Sequence, residues 1–289
     1  MKSVTITNPT GESLKFSSDK TSRYLLKKDV TGVNTLNFDH VTEVTPLRDG
    51  SRYFGSFANE RIISIPFWIN LINYGEVWDA SGFRQKIARV LNPKNGQATA
   101  VFEISDGSTY SCLCEQDSPP ALAQAGVMSS QIQGVISLVS QDPYLSKTDR
   151  NTVVLALSIG GFSLPFSLPF SLGVGGSDTV TNTGDIATPC TITINGPVMN
   201  PVIQNEATGE KIKIIRELDA GESITVDTAV PAVVFRDTGG AEVNGFGRVT
   251  YDSEFFYLQP GDNKILLADT EDLTGSTFVF QWNDRYGGI

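Results

Sequence analysis

Residues 190–203 read Cys190-Thr191-Ile192-Thr193-Ile194-Asn195-Gly196-Pro197-Val198-Met199-Asn200-Pro201-Val202-Ile203. Threonine and isoleucine alternate through the first five positions, placing Ile192 and Ile194 on one side of an extended strand and the threonines on the other. Asn195-Gly196 then supplies turn chemistry, and 198–203 is apolar again. The cycle of short apolar run and turn repeats downstream. Strands are expected at 178–182, 190–194, 198–203, 211–215, 223–226, 232–235, 248–251, 255–258, 264–267 and 277–282. Turn pairs sit between them at Thr208-Gly209, Ala220-Gly221, Gly239-Gly240 and Pro260-Gly261. No helical period interrupts the series, so the second half is expected to be an antiparallel sandwich or jelly roll.

The first half follows the same grammar less purely. Val4 and Ile6 alternate before Asn8-Pro9-Thr10-Gly11, and Leu14 and Phe16 alternate after it, which predicts a hairpin. Further strands are expected at 41–44, 62–69, 98–104, 109–114 and 131–139. One helix is expected: Ser81 caps it, Phe83, Ile87, Val90 and Leu91 share a face, and Asn92-Pro93 ends it. Gln141-Asp142-Pro143-Tyr144 has the character of a domain exit, since Pro143 biases Asp142 to an extended conformation.

Between the halves, 151–177 carries no charge. Its length would suit a membrane helix, but Pro165 and Pro169 would break the hydrogen-bond ladder, so extended, buried chain is expected instead. Within it, Ser163-Leu164-Pro165-Phe166 repeats as Ser167-Leu168-Pro169-Phe170. Proline every fourth residue favours an extended connector, with a docking peptide as the alternative.

Charge separates the halves. Residues 1–150 hold 15 basic against 15 acidic side chains, whereas 151–289 hold 7 against 17, which accounts for the net −10 of the 289-residue chain. So acidic a second half does not suit phosphate contacts, which need clustered Lys and Arg. Cys112, Cys114 and Cys190 are the only cysteines, so at least one thiol is unpaired. Cys112 and Cys114 are neighbours in line on one strand face, where a bond would be strained, and reduced thiols suit a reducing compartment. The alternating start Met1-Lys2-Ser3-Val4-Thr5 has no apolar stretch of signal-peptide type.

Catalysis finds no footing. His40, beside Asp39, is the single histidine, and nucleophilic triads need an oriented histidine with a nucleophile against it. Cys112-x-Cys114 with Cys190 and His40 matches no zinc spacing. Gly239-Gly240 and Gly245-x-Gly247 precede strands rather than a helix, which argues against a phosphate loop. Asp269, Glu271 and Asp272 lack the alternation and closing glutamate of a calcium loop. No catalytic, cofactor-binding or metal residues are expected.

Several of these features, in order, resemble one family. The Leu-Pro-Phe entry at 163–170 is followed by Asn182-Thr183-Gly184-Asp185 and Pro189. Next come Ile192-Thr193-Ile194-Asn195-Gly196-Pro197, Asn200-Pro201-Val202-Ile203-Gln204-Asn205 and Thr208-Gly209. Leu218 precedes Gly221-Glu222-x-Ile224-x-Val226-Asp227, and Phe255-Phe256-x-Leu258-Gln259-Pro260-Gly261-Asp262-Asn263 comes last. Together they are similar to the C-terminal domain of distal tail (Dit) proteins of long-tailed phages with Gram-positive hosts. Arg61-Ile62-Ile63-Ser64-Ile65-Pro66-Phe67, the single helix and Asp142-Pro143-Tyr144 resemble that family's N-terminal domain, mostly as pattern.

The resemblance implies a mostly β protein. A ring-forming N-terminal β-domain with one packed helix would span 1–148, an apolar connector 149–175 and a galectin-like β-sandwich 176–289. It implies a structural, non-enzymatic subunit without cofactors, in a homo-oligomeric, hexameric ring. Its partners would be the tail tube protein and tail-tip, fibre or receptor-binding proteins. DNA would pass through without specific binding, no membrane would be involved, and the virion would assemble in the host cytoplasm. The competing reading is a glycan-binding sandwich that recognises the cell wall, with Trp282, Tyr251, Tyr257 and Tyr286 as stacking platforms.

Overall fold

The computed structural model describes residues 1–27, 30–44, 46–47, 49–70, 80–124, 131–156, 176–268 and 275–289. The chain divides into two compact units: Met1–Thr148 with Tyr286–Ile289, and Asp149–Arg285. The chain therefore leaves the first unit, builds the second and returns. The expectation of one continuous second domain to 289 did not include this return. The stretch 149–175, expected as a connector, begins with a strand of unit 2 at Asn151–Ala156. Residues 157–175, with the Leu-Pro-Phe repeat, lie outside the described residues.

Unit 1 contains β1 (Ser3–Thr7), β2 (Ser13–Ser17), β3 (Tyr24–Leu26), β4 (Phe38–Glu43), β5 (Arg52–Ala58) and β6 (Arg61–Asn70). Helix α1 (Ala80–Val90), β7 (Ala98–Glu103), β8 (Thr109–Gln124), β9 (Gln131–Ser140) and β10 (Leu145–Lys147) follow. The strand order β8-β7-β1-β2-β3-β6-β9 closes on itself, because β8 also pairs with β9. The result is a seven-stranded barrel, which removes the exposed edges of an open sheet. Closure depends on the length of β8. Its first part pairs with β7 up to Cys114, and its second pairs with β9 from Glu115 onward. Register shifts around Ser118, next to Pro119-Pro120, bend the strand between its two partners. The expected strand at 109–114 was the first part alone.

Period-two alternation fills the barrel. Val4, Ile6, Leu14, Phe16, Ile63, Ile65, Phe67 and Phe102 point inward and are fully buried. Each buried phenylalanine contributes about 1.5–3 kcal/mol. The helix presents Phe83, Ile87, Val90 and Leu91 to this core as its spacing predicted. The ring of Phe83 lies 5.0 Å from Tyr24 and 5.7 Å from Phe67. Ser81 falls inside the helix rather than at its cap, because Ala80 is already helical.

Unit 2 holds β11 (Asn151–Ala156), β12 (Gly176–Asn182), β13 (Cys190–Asn195), β14 (Val198–Met199), β15 (Val202–Asn205) and β16 (Lys211–Lys213). After these come β17 (Glu217–Leu218), β18 (Ser223–Asp227), β19 (Ala232–Arg236), β20 (Glu242–Asn244), β21 (Gly261–Ala268) and β22 (Thr277–Trp282). A last bridge strand, β23 (Arg285–Tyr286), spans the return to unit 1. A six-stranded sheet, β11-β22-β13-β18-β19-β20, packs on a four-stranded one, β12-β21-β15-β16. Their inner faces share one core: Ile192, Ile194, Ile224, Phe278 and Phe280 meet Val180, Ile203, Ile212, Ile265 and Leu267.

Four expectations change here. Asn195-Gly196 is no hairpin turn, since β14 pairs with β17 rather than β13. The glycine is needed for a close approach: a Cβ on Gly196 would stand 2.4 Å from the Asp219 carbonyl oxygen. The run 198–203 splits at Asn200, whose φ is +50°, and Pro201, which has no N–H to donate. Residues 248–251 form a tight turn at Phe246–Arg248 and one bridge, Val249 to Ile214, leaving Tyr251 fully exposed. Phe256 and Leu258 are buried, but their segment makes only the bridge from Leu258 to Thr188. Alternating burial there serves the core without a ladder.

Candidate assembly surface

Between β3 and β6 the chain runs out as a hairpin, in which β4 pairs with β5 from Phe38–Ala58 to Glu43–Arg52. The Asn59 N–H donates to Asn37 O at 2.9 Å and closes its root. Val41 faces Gly55 and Thr42 faces Tyr53, so Phe54 is the extra residue of a bulge. Alternation does not sort this hairpin into an apolar and a polar face. Phe38 lies on one face, and Val41 and Phe57 on the other.

These side chains remain largely exposed. Phe38 is 49% exposed, Val41 46%, Tyr53 61%, Phe54 55% and Phe57 69%. Among the described residues, the two strands form a sheet of their own, paired with no other strand. Local contacts shape the surface without burying it. The Tyr53 hydroxyl donates to Ser56 Oγ at 3.0 Å, and the Arg52 guanidinium lies 5.1 Å from the Phe54 ring. A two-stranded hairpin has no core of its own, and a contiguous exposed apolar surface marks an interaction site.

The root of the hairpin is held firmly by contrast. Arg61, the first residue of β6, is only 4% exposed. Its Nε donates to Pro143 O at 2.6 Å, one terminal nitrogen to Gly32 O at 2.6 Å and the other to Gly287 O at 2.7 Å. Burial draws its pKa below the ordinary arginine value, and Cys112 and Asp142 oppose that shift. One guanidinium thus ties the entry to the hairpin, the exit from unit 1 and the return at 286–289. A groove of about 320 Å³ beside it is lined by Thr31, Asn34, Asn37, Asn59 and Glu60.

The residues weighed for chemistry do not converge. His40 sits on exposed β4 with its ring 6.2 Å from Tyr53, and Asp39 faces the opposite side of the strand. All three cysteines are free and buried. Burial pushes the Cys190 thiol up to about 12, and the hydrogen bond with Cys112, then burial, raises that of Cys114. Among the described residues, no group of three His, Cys, Asp or Glu is placed to hold a metal. Asp269, Glu271 and Asp272 lie outside those residues. Among them, too, no helix is long and apolar enough to cross a membrane.

The aromatics of the glycan reading have different surroundings. Trp282 is buried, with Nε1 donating to Asp284 at 2.9 Å, and Tyr286 packs edge-on against Tyr110 in unit 1. The hairpin was missed as a surface, although its signal was present. Arg52-Tyr53-Phe54-Gly55-Ser56-Phe57 places aromatics at both odd and even positions, which no one-sided strand requires.

Comparison with known proteins gives matches to each half. Residues 10–133 match the phage tail protein RIFT-related domain, and 183–286 match the siphovirus-type tail component, C-terminal domain. No curated protein sequence matches the chain. Among solved structures, one similar chain is the Dit protein of phage SPP1, described as a paradigm of the hub adsorption apparatus in phages infecting Gram-positive bacteria. It is 15% identical with a TM-score of 0.67, over 96% of this chain and 98% of that one. Another belongs to the phage P2 baseplate in its activated conformation with calcium, at 10% identity and a TM-score of 0.52, covering 97% of both chains.

Proposed function

The chain belongs to the siphovirus-type tail components, whose two domain models it carries in order, and from that premise we propose that it is a ring subunit joining tail tube to tail tip. Its role is structural, in the distal tail and baseplate of a long-tailed phage. The exposed hairpin β4–β5 carries the finer reading. Phe38, Val41 and Phe57 occupy both of its faces, so a flat surface laid on one side would leave the other wet. A second copy that receives the hairpin covers both.

Such a contact joins different patches on two identical chains. It must close into a ring or continue as a filament. The balanced charge of residues 1–150, 15 against 15, keeps repulsion between adjacent copies low. We take the closed form, with six copies as in the family it resembles, around a hole through which DNA passes without specific contacts. The ring is a virion component assembled in the host cytoplasm, with the tube on one side and fibre or receptor-binding proteins on the other. Residues 1–148 with 286–289 build the ring, and 149–285 supply a galectin-like sandwich. No catalytic role is assigned.

Negative-stain electron microscopy with native mass spectrometry tests this reading. Rings with a central hole and a sixfold subunit mass are expected from the purified chain. A species that stays monomeric at high concentration, and also fails to join tail tubes, would overturn it.

A further inference from the structure

We propose that residues 286–289 are a latch that sets the root of the assembly hairpin, so that the hairpin is presented only after unit 2 has been made and has returned the chain. This rests on the hairpin being the contact between copies. Two chain crossings separate the units, at 148–149 and at 285–286. The second crossing brings in residues that fill a place nothing earlier in the sequence fills.

Three contacts define that place. Gly287 O accepts from the buried Arg61 guanidinium at 2.7 Å. The backbone of Gly288 lies flat against Asn34, so close that a Cβ there would stand 1.7 Å from the Asn34 carbonyl oxygen. The Ile289 N–H donates to Val33 O at 3.0 Å, and its side chain packs against the barrel core. Val33 and Asn34 stand just ahead of Asn37, whose carbonyl closes the hairpin root with Asn59. The preceding residues are already fixed without the latch, since Thr31 exchanges both backbone hydrogen bonds with Ser64 at 3.1 Å. Tyr286 also packs edge-on against Tyr110; toward the hairpin root, residues 287–289 add the contacts at Val33, Asn34 and the third side of Arg61.

The consequence is an order of events. During synthesis residues 1–148 emerge first, and the barrel strands are all among them. Arg61 then has Gly32 and Pro143 as partners but lacks the third carbonyl, and Val33 O has no donor from 289. Only when the sandwich has folded does 286–289 arrive with the missing groups. A subunit with an incomplete second unit keeps a loose hairpin root and does not enter a ring.

Hydrogen exchange and native mass spectrometry on full-length variants test the latch. Gly288→Ala displaces the strand from Asn34, and a chain lacking residues 286–289 removes it. In both, the Asn59 amide at the root should exchange at least tenfold faster, while the barrel amides of Val4, Phe16 and Ile65 keep their protection and assembly falls. Arg61→Lys, which reaches one carbonyl at most, should give the same local effect. Root protection and assembly equal to wild type in Gly288→Ala and in the shortened chain would overturn the latch. Loss of protection throughout the barrel would also overturn it, by showing a purely structural role. A Phe54→Asp/Phe57→Asp variant separates the two proposals. If it still assembles, the hairpin contact fails; if it is monomeric while the latch variants assemble, only the latch fails.

Discussion

Arg61 donates to the carbonyl oxygen of Gly287 at 2.7 Å across 226 residues of sequence. A contact at this separation carries the loop-closure entropy of the whole intervening chain, a cost that falls once the folded second unit brings its two ends together. The other two acceptors, Gly32 O and Pro143 O, lie in the first unit as well, so the guanidinium is a junction for three segments.

Replacing that junction should be costly. Arg61→Met leaves three part-buried carbonyls without the guanidinium, and a total destabilisation of roughly 1–3 kcal/mol is expected, because water can reach groups that are only partly buried. Urea unfolding of the first unit, followed by a fluorescence or amide-exchange probe in the barrel, measures it. A loss below about 1 kcal/mol would mean that water replaces the guanidinium without strain.

The hairpin predicts the opposite pattern. Phe54 and Phe57 are 55% and 69% exposed, so Phe54→Asp/Phe57→Asp removes little buried area in the single chain. Thermal unfolding should move little, within about 0.5 kcal/mol as for other surface changes. Light scattering should nevertheless show that the oligomer is lost. Stability and assembly are thus expected to separate at these residues.

Acid should act on the second unit through Asp252. Lys211 Nζ stands 2.8 Å from its carboxylate, and that hydrogen bond, followed by one from Thr250, lowers the pKa from 3.8 to about 2. A carboxylate with a depressed folded-state pKa favours the fold above its unfolded value and loses that contribution as protons bind. The stabilisation is therefore complete above pH 3.8 and disappears as pH falls through about 2. Asp252→Asn should flatten the stability profile over that window, as read by carboxyl chemical shifts together with acid titration of the fold.

Two of the three thiols should be silent in the native protein. Cys190 is 3% exposed and its pKa is pushed up to about 12, while Cys114 is fully buried with its pKa also raised. A thiol reagent at pH 8 should label neither until denaturant is added, when all three cysteines react. Labelling of Cys190 in the folded chain, located by peptide mass spectrometry, would show local opening around β13.

What the sequence by itself determined is which residues face inward. Ile192 and Ile194, Val4 and Ile6, and the helix face of Phe83, Ile87 and Val90 are all buried as their periods required. The turn at Thr208-Gly209 joins β15 to β16 as its residue types required. These are local properties, because side-chain direction follows from φ and ψ within a few residues. The tertiary structure alone decided which strands meet. Period two names a face but not a neighbour, so neither the β8–β9 closure of the barrel nor the pairing of β14 with β17 was legible. The same is true of Phe57, whose type suggests burial but whose hairpin leaves it 69% exposed. Residues 286–289 show the limit most plainly. Tyr286-Gly287-Gly288-Ile289 has no periodicity to read, and its place beside Arg61 and Asn34 exists only because two distant segments were brought within hydrogen-bond reach.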